Sequence, residues 1–163
     1  MDFLEKGHED MEKIKSFTIN HDTLQVGMYL SRVDGDINTY DIRLVRPNQG
    51  YYLSTASLHT IEHLFATYAR NSSFGEQIIY VGPMGCRTGC YLLTRDTMTH
   101  EQVIDLVKRS FEFIESFEGE IPGSRKEECG NYQDHDLFLA KKDILPFLNR
   151  IRDYSVENLQ YQD

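Results

Sequence analysis

Two strand-like runs, residues 25–33 and 37–45, flank Asp34-Gly35, a dipeptide that tolerates the positive φ of a tight hairpin turn. A connection that short commits the two runs to antiparallel pairing. In the second run Tyr40, Ile42 and Leu44 alternate with Asp41, Arg43 and Val45, which gives one apolar face and one face carrying charge. Two more strand-like runs, 77–81 and 90–94, are joined by the glycine-rich loop Gly82-Pro83-Met84-Gly85-Cys86-Arg87-Thr88-Gly89, and a meander-like antiparallel sheet is expected. Three helical segments complete the map. The first covers about 56–70, with Leu58, Ile61, Phe65 and Tyr68 at helical spacing; the second covers about 100–117, opened by a capping box of Thr99 with Gln102. The third begins near Asp134, and Pro146, which lacks an amide donor, should kink or break it. Strands and helices fall in blocks, so the expected class is α+β: an antiparallel β-sheet with helices packed on one face, in a single domain.

The chain of 163 residues is 40% hydrophobic, enough for one core without external staples. A formal net charge of -9 argues against nucleic acid as a partner, because such binders draw most of their affinity from Lys and Arg. No stretch approaches the roughly 20 apolar residues that span a bilayer, so no membrane is expected. Residues 1–15 read as a charged N-terminal extension, unlike a greasy export signal, and 16–163 as the domain; a soluble, cytoplasmic protein is expected. Three cysteines, an odd number, suit thiols kept for metal or catalysis better than a disulfide framework.

The most informative segment is Leu58-His59-Thr60-Ile61-Glu62-His63-Leu64. On a helix His59 and His63 lie one turn apart on one face, close enough to chelate one ion, with Glu62 projecting between them. The His-x-x-Glu-His pattern is that of the inverted zincins, where the histidines bind zinc and the glutamate is a general base. Two surface histidines beside an ordinary glutamate are an equal reading of this motif alone. Cys129, in a polar loop before the third helix, is a candidate third ligand; two imidazoles and one thiolate leave a tetrahedral ion one open position. A buried structural thiol is the alternative at that position. Cys86, bracketed by glycines and followed by Arg87, reads either as a reactive thiol or as a small hydrophobe under a turn. Cys90, opening the next strand, reads as packing, with a redox pair with Cys86 or a share in metal binding as the weaker alternatives.

Taken together these segments resemble the S-ribosylhomocysteine lyase family, LuxS. The resemblance rests on Ser16-Phe17 with His21, Tyr40-Asp41-Ile42-Arg43, the helix from His59 to Leu64, the loop from Pro83 to Gly89, and Cys129-Gly130 followed by His135-Asp136-Leu137, in family order over about residues 16–140. Cys90, where relatives usually carry an aromatic, and Pro146 depart from the family pattern. The resemblance implies that His59, His63 and Cys129 hold one divalent metal per chain, Fe(II) or Zn(II), that Cys86 and Glu62 transfer protons, and that Ser16, His21 and Arg43 bind the substrate, S-ribosylhomocysteine. The reaction it implies is carbonyl migration along the ribose followed by β-elimination. The products are homocysteine and 4,5-dihydroxy-2,3-pentanedione, the precursor of the quorum-sensing signal autoinducer-2. It implies a homodimer with active sites at the interface, the metal helix from one chain and the N-terminal residues and Arg43 from the other. The competing classes are an inverted-zincin-type metallopeptidase, which needs a third ligand on a downstream helix and gives Cys86 no role, and a non-enzymatic metal-binding domain, in which Glu62 is idle.

Overall fold

A computed structural model of the chain describes residues 11–162. Strands β1 (Gly27–Asp34) and β2 (Ile37–Arg43) form the expected hairpin, with the turn one residue later, at Gly35-Asp36, where Gly35 takes φ +57°. Helix α1 (Thr55–Asn71) follows, then β3 (Ile78–Pro83) and β4 (Gly89–Arg95). All pairings are antiparallel, but the order is β1-β2-β4-β3 and not the expected meander. The reason is the helix between β2 and β3: it carries the chain across the sheet, so β3 enters at the far edge. The 84–88 loop then folds β4 back into the gap beside β2.

The helices start where side chains satisfy their free amides. The Ser54 hydroxyl accepts from the Ser57 amide at α1, and α2 (His100–Ser116) begins with the Thr99 and Gln102 capping box. Asp136 caps α3 (Leu137–Asp143) by accepting from the Leu139 amide at 2.9 Å. The break expected at Pro146 falls two residues earlier, at Ile144, and the proline sits in the first turn of α4 (Leu145–Ile151), where a missing N–H costs no helix bond.

The four helices lie on one face of the sheet. Tyr40, Ile42, Cys90 and Leu92 of the strands meet Leu58, Ile61 and Phe65 of α1 and Val107 and Phe111 of α2, all buried. Phe111 is the hinge of this core, its ring 5.1 Å from Phe65 and 4.7 Å from Phe147. The other face of the sheet carries Asp41 and Arg43, and both are buried, so this charged pair is covered and not solvated. A 3-10 turn, Lys15–Phe17, lies over part of it, and Tyr161 reaches it from the far end of the sequence. Of the expected extension, residues 1–10 lie outside the described residues. The free edge of β1 is closed by Tyr154, whose hydroxyl accepts from the Met28 amide at 3.0 Å and donates to its carbonyl at 2.6 Å. No helix among the described residues is long and apolar enough to cross a membrane.

Candidate active site

Helix α1 presents His59 and His63 beside its buried face, and the irregular segment 122–136 folds against them. Each ring is oriented by a main-chain carbonyl: His59 Nδ1 lies 2.8 Å from the Asp134 oxygen and His63 Nδ1 2.9 Å from the Pro122 oxygen. A carbonyl can only accept, so Nδ1 carries the proton in both rings and leaves Nε2 as the ligating nitrogen. The rings stand at 87° with centroids 4.5 Å apart, so the two lone pairs can converge. Cys129 Sγ completes the group, 3.4 Å from His59 Nε2. Gly123 lets the segment approach this closely: its φ is +72°, and a Cβ there would sit 3.1 Å from His63 Nδ1. Two neutral imidazoles and one sulfur are a donor set that fits one divalent ion and leaves a coordination position open.

A fourth side chain joins the cluster. The ligand atoms of His59, His63, Cys129 and His135 all lie within 4.8 Å of one another. His135 stacks on His59 with centroids 4.0 Å apart and planes at 21°. Burial, with His59 and His63 alongside, pushes its pKa down to about 4, so the ring is neutral.

The second constellation surrounds Cys86, an exposed thiol whose Sγ lies 3.0 Å from the Thr88 hydroxyl and 4.0 Å from Arg43 Nη1. The cation beside the sulfur is therefore Arg43, supplied by β2, whereas Arg87 serves the turn through its backbone, with φ 60° and its carbonyl accepting from the Leu53 amide. Arg43 donates to Thr88 Oγ1 at 2.7 Å and pairs with Asp41 through two bonds of 3.1 and 2.7 Å, and the Tyr161 hydroxyl donates to Asp41 at 2.8 Å. Burial works against the guanidinium charge, but the Asp41 carboxylate outweighs it and holds Arg43 above its ordinary pKa. Cys90, fully buried, has its thiol pushed far up by desolvation, with the charges of Asp41 and Glu62 adding to the effect.

The remaining residues singled out in the sequence fall around these two groups. Glu62 lies on α1 between the histidines, half-buried. Ser16 sits in the 3-10 turn and borders a hollow on the outer sheet face with Thr39, Tyr91 and Leu93. His21 is half-buried, its Nδ1 donating to the Ile19 carbonyl at 2.8 Å.

The profile of the S-ribosylhomocysteinase (LuxS) family matches residues 14–157. The chain belongs to that family. The S-ribosylhomocysteine lyase of Finegoldia magna is 46% identical over 157 residues, covering 94% of this chain and 100% of that protein. That of Clostridium acetobutylicum is 44% identical over 158 residues, with 94% and 100% covered, and that of Phocaeicola vulgatus 43% over 157 residues, with 93% and 98%.

Within this LuxS-family chain, sequence reasoning passed over His135, Thr88, Asp41 and Tyr161 as site residues. Asp41 had a visible signal, an acid two positions from Arg43 and so on the same strand face. Thr88 is two residues from Cys86 and close by default. His135 stood in the motif Cys129-Gly130 followed by His135-Asp136-Leu137 that carries the family resemblance but was given no role, and Tyr161, 120 positions from Asp41, offered no signal.

Proposed function

We propose that this chain cleaves the thioether of S-ribosylhomocysteine, with His59, His63 and Cys129 holding one divalent ion, Fe(II) or Zn(II). The observation that carries the reading is the convergence of two Nε2 lone pairs and one sulfur in a member of the LuxS family. Cys129 in the third position also counts against a peptidase of the inverted-zincin type.

Expelling homocysteine thiolate from C5 of the sugar requires a carbonyl at C3, next to an acidic C4–H, and the sugar starts with its carbonyl at C1. Two aldose–ketose shifts move it there, and each takes a proton from one carbon and returns one to its neighbour. Cys86 is exposed and set beside the Arg43 cation, which suits a proton carrier working at carbon. Glu62, on the helix that carries the histidines, suits the hydroxyl protons and the base for C4–H. Loss of that proton, with breakage of the C5–S bond, releases homocysteine and leaves an enol that becomes 4,5-dihydroxy-2,3-pentanedione, the autoinducer-2 precursor. When bound, the ion supplies Lewis acidity to sugar oxygens. Ser16, His21 and Arg43 are the proposed substrate contacts. The working unit is residues 16–163, with 1–15 an extension, and three free thiols among the described residues suit the reducing cytoplasm.

Two features support a homodimer with shared sites. Strand alternation puts Arg43, with Asp41 and Tyr91, on the sheet face away from α1, so the sheet stands between that group and the metal residues of the same chain. The same outer surface exposes Ile14, Phe17 and Tyr80, apolar groups that a partner would cover. A partner rotated by a two-fold axis brings the Arg43 and Cys86 corner of one chain to the metal helix of the other. Mixing inactive His63→Ala with inactive Cys86→Ala chains is expected to restore up to about a quarter of wild-type homocysteine release when subunits exchange freely. No recovery despite proven exchange refutes shared sites, and no homocysteine from the wild-type chain loaded with Fe(II) or Zn(II) refutes the activity.

A further inference from the structure

The cluster around the metal residues holds one group without a task. His135 Nε2 is buried and has no hydrogen-bond partner among the described residues, while the rest of the ring is fixed: Nδ1 lies 3.0 Å from Thr60 Oγ1, and the ring face lies on His59. A buried polar nitrogen left alone costs free energy, so its retention calls for a partner that arrives later.

Metal ligation is excluded as its task by the ring geometry. An imidazole donates its lone pair in the plane of the ring. With His59 and His135 nearly parallel and 4.0 Å apart, an ion in the plane of His59 is displaced from the plane of His135 by much of that separation, too far for a metal–nitrogen bond of about 2 Å. His63, perpendicular to His59, meets no such obstacle.

The tautomer follows from Thr60. Its buried hydroxyl oxygen accepts from the Asp136 amide at 3.0 Å, which leaves its single hydrogen to be placed, and His135 Nδ1 is the acceptor beside it. With Nδ1 accepting from Thr60, the ring proton is on Nε2, the nitrogen on the ring edge away from Thr60. One ring nitrogen of His135 lies within 4.8 Å of the ligand atoms of His59, His63 and Cys129.

We propose that His135 is a substrate-contact residue: stacked beneath His59 and polarised by Thr60, it keeps an Nε2–H free to donate to an oxygen of the bound sugar. The inference rests on the lyase reading above. It is tested in the Cys86→Ala background, where S-ribosylhomocysteine persists, by calorimetric titration of the metal-loaded protein together with elemental analysis. Adding His135→Phe, which keeps a stacking ring but no N–H, is expected to leave about one ion per chain and to weaken binding roughly five- to tenfold, the effect of one neutral hydrogen bond. His135→Gln, which restores an N–H, is expected to recover part of the loss. Unchanged affinity in both variants overturns the proposal. So does loss of metal from His135→Phe to the level of a His59→Ala chain, which would make His135 a ligand. If the parent Cys86→Ala protein does not bind the sugar and the wild-type chain releases no homocysteine, the lyase reading itself has failed, and this inference falls with it.

Discussion

The metal cluster and the Cys86 corner each present a sulfur, and they hold it by opposite means. At the cluster the histidine rings are aimed by main-chain carbonyls, with a glycine packed against His63, and the donor atoms face one another. At the corner the thiol is exposed, and what surrounds it is side chain: a hydroxyl, a guanidinium, and behind them a buried carboxylate and a tyrosine. Ligands must not move relative to one another, which short bonds to backbone ensure. A thiol proposed to exchange protons must stay reachable, and here the fixed charge beside it comes from a buried ion pair of the sheet. One region is built for geometry and the other for access.

The largest expected effect separates the two regions outright. His59→Ala is expected to lose nearly all metal and all homocysteine release, whereas Cys86→Ala keeps about one ion per chain and loses roughly 10²–10⁴-fold in turnover, the range of a proton-transfer group. Elemental analysis beside a thiol-release assay reads both, and near-normal turnover in Cys86→Ala would remove the corner from the chemistry. Asp41→Asn breaks the corner at its root. Arg43 is 2% exposed, and leaving its charge without a carboxylate costs about 3–5 kcal/mol, lowering the melting temperature by roughly 6–20 °C while the metal content of the folded protein holds. Scanning calorimetry that finds no shift would show the pair to be dispensable. Gly123→Ala is the matching probe of the cluster: the strained φ and the contact with His63 should weaken metal retention roughly tenfold in a chelator competition, with Cys86 still reacting normally with a disulfide reagent. The smallest effect is at Cys90→Ser. That thiol is buried and held neutral, so most turnover should remain per folded molecule, and Cys90 should react with thiol reagents only on unfolding. A loss as large as that of Cys86→Ala would assign Cys90 to the site.

Legibility in the sequence followed distance along the chain. The histidine pair, the capping box at Thr99 and the hairpin around Gly35 are local patterns, and each is found where its spacing put it or one residue away. The helix break was visible from Pro146, although it falls at Ile144 because a proline is better placed inside a first turn than at a kink. The insertion of β4 between β2 and β3 was not visible, since strand order is decided by packing across a helical crossover and leaves no mark within either strand. The same limit hid the Arg43 contact with Cys86, which exists only because β2 and β4 are neighbours. It also hid His135, whose place in the cluster depends on how an irregular loop folds over α1.

The closing of β1 by the last described segment has a consequence for the order of events during synthesis. Tyr154 bonds to Met28 from 126 positions downstream, and Tyr161 stacks on Tyr29 at 4.9 Å while bonding to Asp41. A nascent chain can pair β1 with β2 long before those tyrosines exist, so the Asp41 and Arg43 pair waits in a half-covered state while the helices are being made. The thiol corner is thus among the last parts of the molecule to mature, and a ribosome that stalls before residue 154 leaves a sheet with an open edge and an uncovered ion pair.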